Sequence, residues 1–223
     1  DIDGALLDEL TVEAAERLIS LGDWLSTDLR RYLPCAVRAS RAGVGRVHLI
    51  GYDEDGTLLR ELFTHDGVGT VITRESLEQL HEARPDDIGG LVALIEPLEA
   101  DGTLVRRSRE LLEREISRFS VVEHDGIIVG CAALYPYGDE QAELACLAVH
   151  PHYRRWGYGA LLMKQIEAQA RASGIKRLFV LTTVTSQWFK ERGFSVRQIA
   201  DLPTEKRLVY NLQRRSIVLM KEL

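Results

Sequence analysis

Two rhythms of apolar and polar positions run along this chain. In the first, Val12, Ala15, Leu18 and Ile19 recur at helical spacing behind Thr11 as N-cap, with Glu13 and Glu16 in the early turns. A second helical stretch is expected over 23–40, bent or divided at Pro34 and broken by Ala42-Gly43-Val44-Gly45. Arg46-Val47-His48-Leu49-Ile50 reads as a short strand. Asp53-Glu54-Asp55-Gly56 is a turn signal, 57–64 reads as another strand, and Asp66-Gly67-Val68-Gly69 closes it. From Ile72 to Pro85 the chain turns polar. That places a linker at 73–85, between a first region over 1–72 and a second over 86–223.

The second region mixes both periods. Amphipathic helices are predicted over 88–98 and 106–116, then strands over 117–123 and 127–136, split by the hairpin chemistry of His124-Asp125-Gly126. A strand over 141–150 leads into a helix over 157–173. Residues 175–182 form a continuous apolar run of the kind buried on both sheet faces. A short helix over 186–192 ends at Gly193, and a last strand covers 216–221. Helices on the faces of a mixed sheet place the region in the α/β class.

Composition narrows this only a little. Of 223 residues, 45% are hydrophobic and 28% charged, enough apolar content for a globular core. A formal charge of −6 argues against a general nucleic-acid binder, though a local basic loop can still hold an anion. Cys35, Cys131 and Cys146 are few, odd in number and far apart, without a CxxC pair. No metal site or disulfide framework is expected, and a reducing cytoplasm fits. No apolar run is long enough to span a bilayer, and no signal peptide precedes the first helix. The chain opens at Asp1 without a methionine, which leaves a cut or missing preceding segment open.

The sharpest motif is Arg154-Arg155-Trp156-Gly157-Tyr158-Gly159, between an apolar strand and an amphipathic helix. A helix N-terminus presents unpaired amides and about half a positive charge. The glycines let backbone approach a diphosphate, and Arg154 and Arg155 add charge. A plain strand-to-helix turn is the simpler account, but the placement and the arginines favour an anion site. There is no Gly-Lys-Ser/Thr and no full Gly-x-Gly-x-x-Gly, so neither an ATP P-loop nor a dinucleotide fold is indicated.

Arg154-x-x-Gly157-x-Gly159, following Leu147-Ala148-Val149-His150-Pro151, resembles the acetyl-CoA signature of the Gcn5-related N-acetyltransferase (GNAT) superfamily. Trp188-Phe189-Lys190-Glu191-Arg192-Gly193-Phe194 resembles its second signature. The resemblance covers about 86–223. It implies that the loop amides of 154–159 hold the CoA pyrophosphate, and that backbone at Leu147 and Val149, on a strand splayed from its neighbour, holds the pantetheine and acetyl carbonyl.

Acetyl transfer to an amine needs a base for the amine, a donor for the oxyanion and a proton for the thiolate. Glu143 is the candidate base, although a strand glutamate is more often a solvated charge. Phe189 stands where many GNAT enzymes carry a tyrosine acid, so Thr182 is the candidate donor; a strand-terminal Thr that bonds backbone is its plainer reading. Cys146 is a rival as an acyl-cysteine nucleophile, but on a regular strand its parity points it away from Glu143.

Finer stretches, Glu143-Leu-Ala-Cys146-Leu-Ala-Val149, Arg177-Leu-Phe-Val-Leu-Thr182-Thr183 and Arg214-Arg215-Ser216, resemble the bacterial N-acetylglutamate synthase family. That likeness implies acetyl-CoA and L-glutamate as substrates and a homo-oligomer, with Glu143 as base and a hydroxyl at Thr182. Two arginines would hold the glutamate carboxylates as guanidinium forks, Arg106 at the head of the second helix and Arg215 before the last strand. Arg107, Arg109 and Arg214 are close rivals. Val47 to Ile50 and Leu59 to Thr70 resemble the end of the amino-acid-kinase domain fused to those synthases and shared with arginine-sensitive kinases. His48, Glu61 and backbone at Gly67 and Gly69 would then contact inhibitory arginine; ordinary strand-and-turn chemistry is the alternative. An acetyltransferase for another small amine, and a non-catalytic arginine or acyl-CoA sensor, remain as rivals.

Overall fold

The computed structural model describes residues 7–21, 25–52, 55–64, 68–138, 140–154 and 156–223. The chain forms two compact units, Asp1–Leu77 and Glu78–Leu223.

In the first unit, strand β1 (Glu9–Thr11) leads directly into helix α1 (Val12–Ser20). Thr11 caps that helix as expected, its Oγ1 accepting from the Ala14 amide at 3.2 Å. Helix α2 (Thr27–Arg41) starts from its cap Ser26, and Asp23 lies outside the described residues. It runs unbroken through Pro34, because Leu33, Ala36, Val37 and Ser40 keep one face buried on both sides of the proline. Strand β2 (Arg46–Leu49), helix α3 (Thr57–Phe63) and strand β3 (Thr70–Thr73) complete the unit. The sheet order is β1-β3-β2, parallel between β1 and β3 and antiparallel between β3 and β2. Val12, Ala15, Leu33, Ala36, Val37 and Ile72 form its core.

Two expectations fail here. The stretch 57–64 is helix over Thr57–Phe63 and not a strand: Leu58, Leu59, Arg60, Glu61 and Leu62 are all good helix formers, and β-branched Thr57 and Thr64 stand only at its ends. The turn residues Asp53 and Glu54 lie outside the described residues, as do His65, Asp66 and Gly67. The polar segment 73–85 is not a free linker. It contains strand β4 (Glu78–Glu82), which pairs with the second sheet. An edge strand bonds on one side only and tolerates the polar composition that made this one read as a connector.

The second unit continues with helices α4 (Ile88–Ala100) and α5 (Arg109–Glu115). Strands β5 (Phe119–His124), β6 (Ile127–Tyr137) and β7 (Gln141–Val149) follow. Then come helix α6 (Tyr158–Ala172), strand β8 (Arg177–Thr182), helix α7 (Ser186–Lys190) and strand β9 (Ser195–Arg197). Helix α8 (Thr204–Leu208) and strand β10 (Ile217–Glu222) close the chain. The sheet order is β4-β5-β6-β7-β8-β10-β9, and only β7 and β8 run parallel. Asp125 and Gly126 both take positive φ, 51° and 76°, which is the turn that a two-residue hairpin requires. One sheet face packs Leu144, Leu178 and Leu219 against Leu162 and Ile166 of α6. The other packs Val121, Cys131 and Ala133 against Leu91, Ile95 and Leu112 of α4 and α5. Among the described residues no helix is long and apolar enough to cross a membrane.

Candidate functional site

The site is built where β7 and β8 part. Their ladder covers only Gln141↔Arg177, Ala142↔Leu178 and Glu143↔Phe179, while β7 continues to Val149 and β8 to Thr182. The sequence contributes a second distortion. Cys131↔Ala148 is followed on β6–β7 by Ala133↔Ala145, so Cys146 and Leu147 together oppose Ala132. Cys146 takes φ 52°, a left-handed conformation that costs an L-residue about 1–2 kcal/mol and is found at bulges. The extra residue resets the alternation. Cys146 and Ala148 pack on the α4–α5 side, and Leu147 and Val149 on the α6 side. The parity argument that set Cys146 opposite Glu143 therefore fails, because the bulge returns Cys146 to the face that Glu143 occupies.

Beyond Val149 the chain makes a short 3-10 turn over Pro151–Tyr153 and enters α6 through Gly157, whose φ of 84° needs a glycine. A side chain at Gly157 would meet nothing within 4 Å, so the loop is open just before the first turn of α6. That turn carries no acidic residue to repel an anion. The loop is braced by aromatic rings that meet tilted or edge-on. His124 lies 5.2 Å from Tyr153 and 5.1 Å from Trp156 by ring centroids, and the buried Tyr158 hydroxyl meets His124 Nδ1 at 3.0 Å. Arg154 and Trp156 are exposed on this loop, and Arg155 lies outside the described residues. A Cβ at Gly159 would fall 3.3 Å from Trp188 Cζ2. Gly159 thus lets α6 start close against α7, where the Arg192 guanidinium covers the Trp188 ring at 3.8 Å. The two sequence motifs are one packed structure. Phe189 is buried in the core and turned to Phe194, a place for an apolar ring and not for an acid.

Glu143 is buried, and its Oε2 accepts from Lys206 Nζ at 2.6 Å and from the Tyr137 hydroxyl at 3.3 Å. Burial, and then the negative charge of Glu143, push the Tyr137 phenol above its ordinary range. Thr182 ends β8, and its Oγ1 accepts from the Thr185 amide at 3.1 Å and pairs with Thr185 Oγ1 at 3.0 Å. The hydroxyl therefore anchors the turn into α7, and either hydroxyl of the Thr182–Thr185 pair can be the donor.

The arginines sort differently from the sequence expectation. Helix α5 starts at Arg109 behind its cap Ser108, so Arg106 is exposed in the preceding loop and does not head the helix. Arg107 is the inward residue. Burial works against its charge, but Cys146, Tyr135 and Glu143 act together to hold its pKa above the ordinary value. A hydrogen bond from Cys131, opposed by burial and aided by Arg107, keeps the Cys146 thiol below its usual range. Arg215 is exposed at φ 50°, whereas Arg214 is half-buried and donates to the Thr103 carbonyl at 3.0 Å. That bond ties the segment before β10 to the loop that carries Arg107. Lys206 and Tyr137 escaped the sequence reading. Tyr137 lies one residue past the expected strand end, and the stretch 194–215 has no period to read.

In the first unit, His48, Glu61 and Gly69 do come together. Glu61 Oε2 accepts from the Val68 and Gly69 amides at 2.7 and 2.9 Å, and Oε1 meets His48 Nδ1 at 2.6 Å. A Cβ at Gly69 would lie 2.5 Å from the Leu49 carbonyl oxygen, so that position admits only glycine without a shift. Gly67 lies outside the described residues.

A bulged strand that parts from its parallel neighbour above a glycine-led helix defines a class, and residues 75–194 match it: the chain belongs to the Acetyltransferase (GNAT) family. It is 57% identical over 221 residues to an amino-acid acetyltransferase of Ralstonia nicotianae, covering 99% of this chain and 49% of that protein. It is 53% identical to one of Azotobacter vinelandii, covering all of this chain and 51% of the relative. The solved N-acetylglutamate synthase from Neisseria gonorrhoeae, complexed with coenzyme A and L-arginine, is 41% identical with a TM-score of 0.82, over 99% of this chain and 50% of that one. The same enzyme with coenzyme A and N-acetyl-glutamate gives 42% and 0.64. The chain thus spans about half the length of these relatives.

Proposed function

We propose that the second unit transfers an acetyl group from acetyl-CoA to the amino group of L-glutamate, the chemistry of N-acetylglutamate synthase and the first step of arginine biosynthesis. One observation carries the reading: a buried glutamate, Glu143, stands where the β7–β8 ladder ends, and its charge helps hold Arg107 protonated. The amides around Trp156, Gly157, Tyr158 and Gly159, with Arg154 and Arg155, suit the CoA diphosphate, and backbone at Leu147 and Val149 suits the pantetheine. Glu143 accepts the amine proton and Thr182 donates toward the leaving thiolate. A dicarboxylate acceptor suits a site lined by guanidinium groups. The inward placing of Arg107 and Arg214 makes them better carboxylate partners than Arg106 and Arg215. No metal enters this chemistry.

The first unit, on this reading, is the end of an amino-acid-kinase-like domain over 1–72, with His48, Glu61, Gly67 and Gly69 at an inhibitory L-arginine site. Glu61 acts there by shaping the turn at Val68–Gly69, since its own oxygens already hold two amides and His48. The identities of the relatives and the arginine in the gonococcal complex support this. A cytoplasmic homo-oligomer fits the same reading. Thiol release by the purified chain with acetyl-CoA, on adding L-glutamate, tests the activity. Turnover with another amine and none with glutamate would replace the substrate.

A further inference from the structure

Glu143 already holds an amine. Lys206 reaches from α8 to place Nζ 2.6 Å from Glu143 Oε2, with the two side chains only 18% and 9% exposed. A buried ion pair gains little net stability after its desolvation cost, so stability alone is a weak reason for it. Helix α8 itself buries no residue, and Leu208, Val209 and Leu212 are exposed. A general base must lie within hydrogen-bond reach of the proton it takes. Among the described residues, Lys206 is the amine that meets this condition at Glu143. Any free acceptor that uses Glu143 must bring its nitrogen within reach of the same carboxylate.

We propose that Lys206 is an internal acetyl acceptor, acetylated by its own site when acetyl-CoA is bound and no free acceptor amine is present. This rests on the reading of Glu143 as the base of an acetyl-CoA site. Glu143 takes one proton from the Lys206 ammonium and passes it to solvent. The freed lone pair attacks the thioester carbonyl carbon, forming a C–N bond as the C–S bond breaks. The nitrogen's second proton goes to the departing thiolate. The products are Nε-acetyl-Lys206 and CoA thiol, with no oxidant or further reactant. The acetylated side chain has lost its charge and can no longer pair with Glu143. Free glutamate and Lys206 compete for one carboxylate, so the reaction is suppressed whenever substrate is abundant.

The test incubates the purified chain with acetyl-labelled acetyl-CoA alone and maps the label by proteolysis and mass spectrometry. Label is expected on Lys206, at a first-order rate independent of protein concentration, and saturating L-glutamate should suppress it. Glu143→Gln should slow it about 100-fold or more, and Lys206→Arg should remove it. Equal labelling of Lys206 in Glu143→Gln, or in the urea-unfolded chain, would mean simple chemical acetylation and overturn the proposal. Glutamate competition keeps the test decisive if Glu143→Gln does not fold. Thiol release on adding glutamate, by a preparation whose Lys206 stays unlabelled with acetyl-CoA alone, overturns the proposal and leaves the proposed activity standing. Absence of both label and thiol release removes the activity as well.

Discussion

The two units solve the burial problem in different ways. The second sandwiches a seven-stranded sheet between helices, and both faces have a core, with Leu162 and Ile166 on one side and Leu91 and Leu112 on the other. The first has three strands and one core, and its helix α3 leaves Leu58, Leu59, Leu62 and Phe63 between 58% and 81% exposed. Apolar surface left in water adds nothing to folding. Their functional groups differ accordingly. Glu143 is set by long-range strand pairing and a bulge, inside a thick core. Glu61 is set locally, by two amides and one histidine within eight residues of its own turn on one side and β2 on the other. A site built on a rigid sheet should tolerate little chemical change but much local strain. A site built on a turn should respond to pH and to small steric changes.

The largest expected effect isolates the sheet-built site. Glu143→Gln should lower kcat for glutamate acetylation by about 10²–10⁴ while calorimetry finds acetyl-CoA affinity nearly unchanged. The residual rate should climb with pH as free amine becomes available. Full activity at neutral pH would take the base assignment away from this residue. Cys146→Ala should retain most activity although Cys146 shares the face of Glu143. A dead variant, together with a thioester-linked acetyl group mapped to Cys146 in the parent chain, would restore the acyl-cysteine route.

Next in size is a direct test of the contrast in packing. Leu162 is fully buried on α6, and Leu162→Ala should cost about 2–5 kcal/mol. Hydrogen exchange followed by mass spectrometry should show lost protection in α6 and β5–β7, with β2 and β3 unchanged. Equal losses in both units would mean that they unfold as one body, and the comparison would break.

Much of this was legible in the sequence, for identifiable reasons. The α6 pattern is long and periodic, β8 is a continuous apolar run, and Asp125-Gly126 is one of the pairs that a two-residue hairpin turn favours, so those elements fall where expected. Strand β4 was missed because an edge strand with Leu80 as its one aliphatic residue has no pattern to show. Helix α3 was missed because its leucines are not buried, so its period carries no core signal. The bulge at Cys146 was invisible because 144–149 is a continuous apolar run with no alternation to break, and only the register against β6 exposes the added residue. Lys206 could not be read because α8 reaches Glu143 across 63 positions of sequence.

A smaller effect sharpens the view of the turn-built cluster. Gly69→Ala places a Cβ within 2.6 Å of both the Leu49 carbonyl and Ile50 Cγ2, and backbone cannot yield as a flexible side chain would. The expected cost is about 1–3 kcal/mol, read as lost exchange protection in β2 and β3 alone. Acetyl transfer with the same chain should keep its kcat. A variant as protected as the parent would show that the turn has room the structure does not give it.

The smallest effect is a pH dependence confined to the first unit. Two backbone amides and His48 bond the Glu61 carboxylate; burial raises its pKa, but the Val68 amide, His48 and the Gly69 amide together hold it below its ordinary value. A carboxyl with a lower pKa folded than unfolded binds fewer protons in the native state across that interval. Its stabilisation is therefore complete above the ordinary carboxylate range and is lost as pH falls through the lowered folded value. Protection factors for β2 and β3 amides should accordingly drop on acidification, by an amount on the order of 1 kcal/mol. Those of the second unit should not follow the same curve. Glu61→Gln should flatten the dependence and lower the protection at neutral pH, because an amide cannot offer the Val68 and Gly69 amides and His48 the same set of acceptors. If β2 and β3 lose protection on acidification equally in Glu61→Gln, some other group sets the acid response, and the first unit is not organised around this carboxylate.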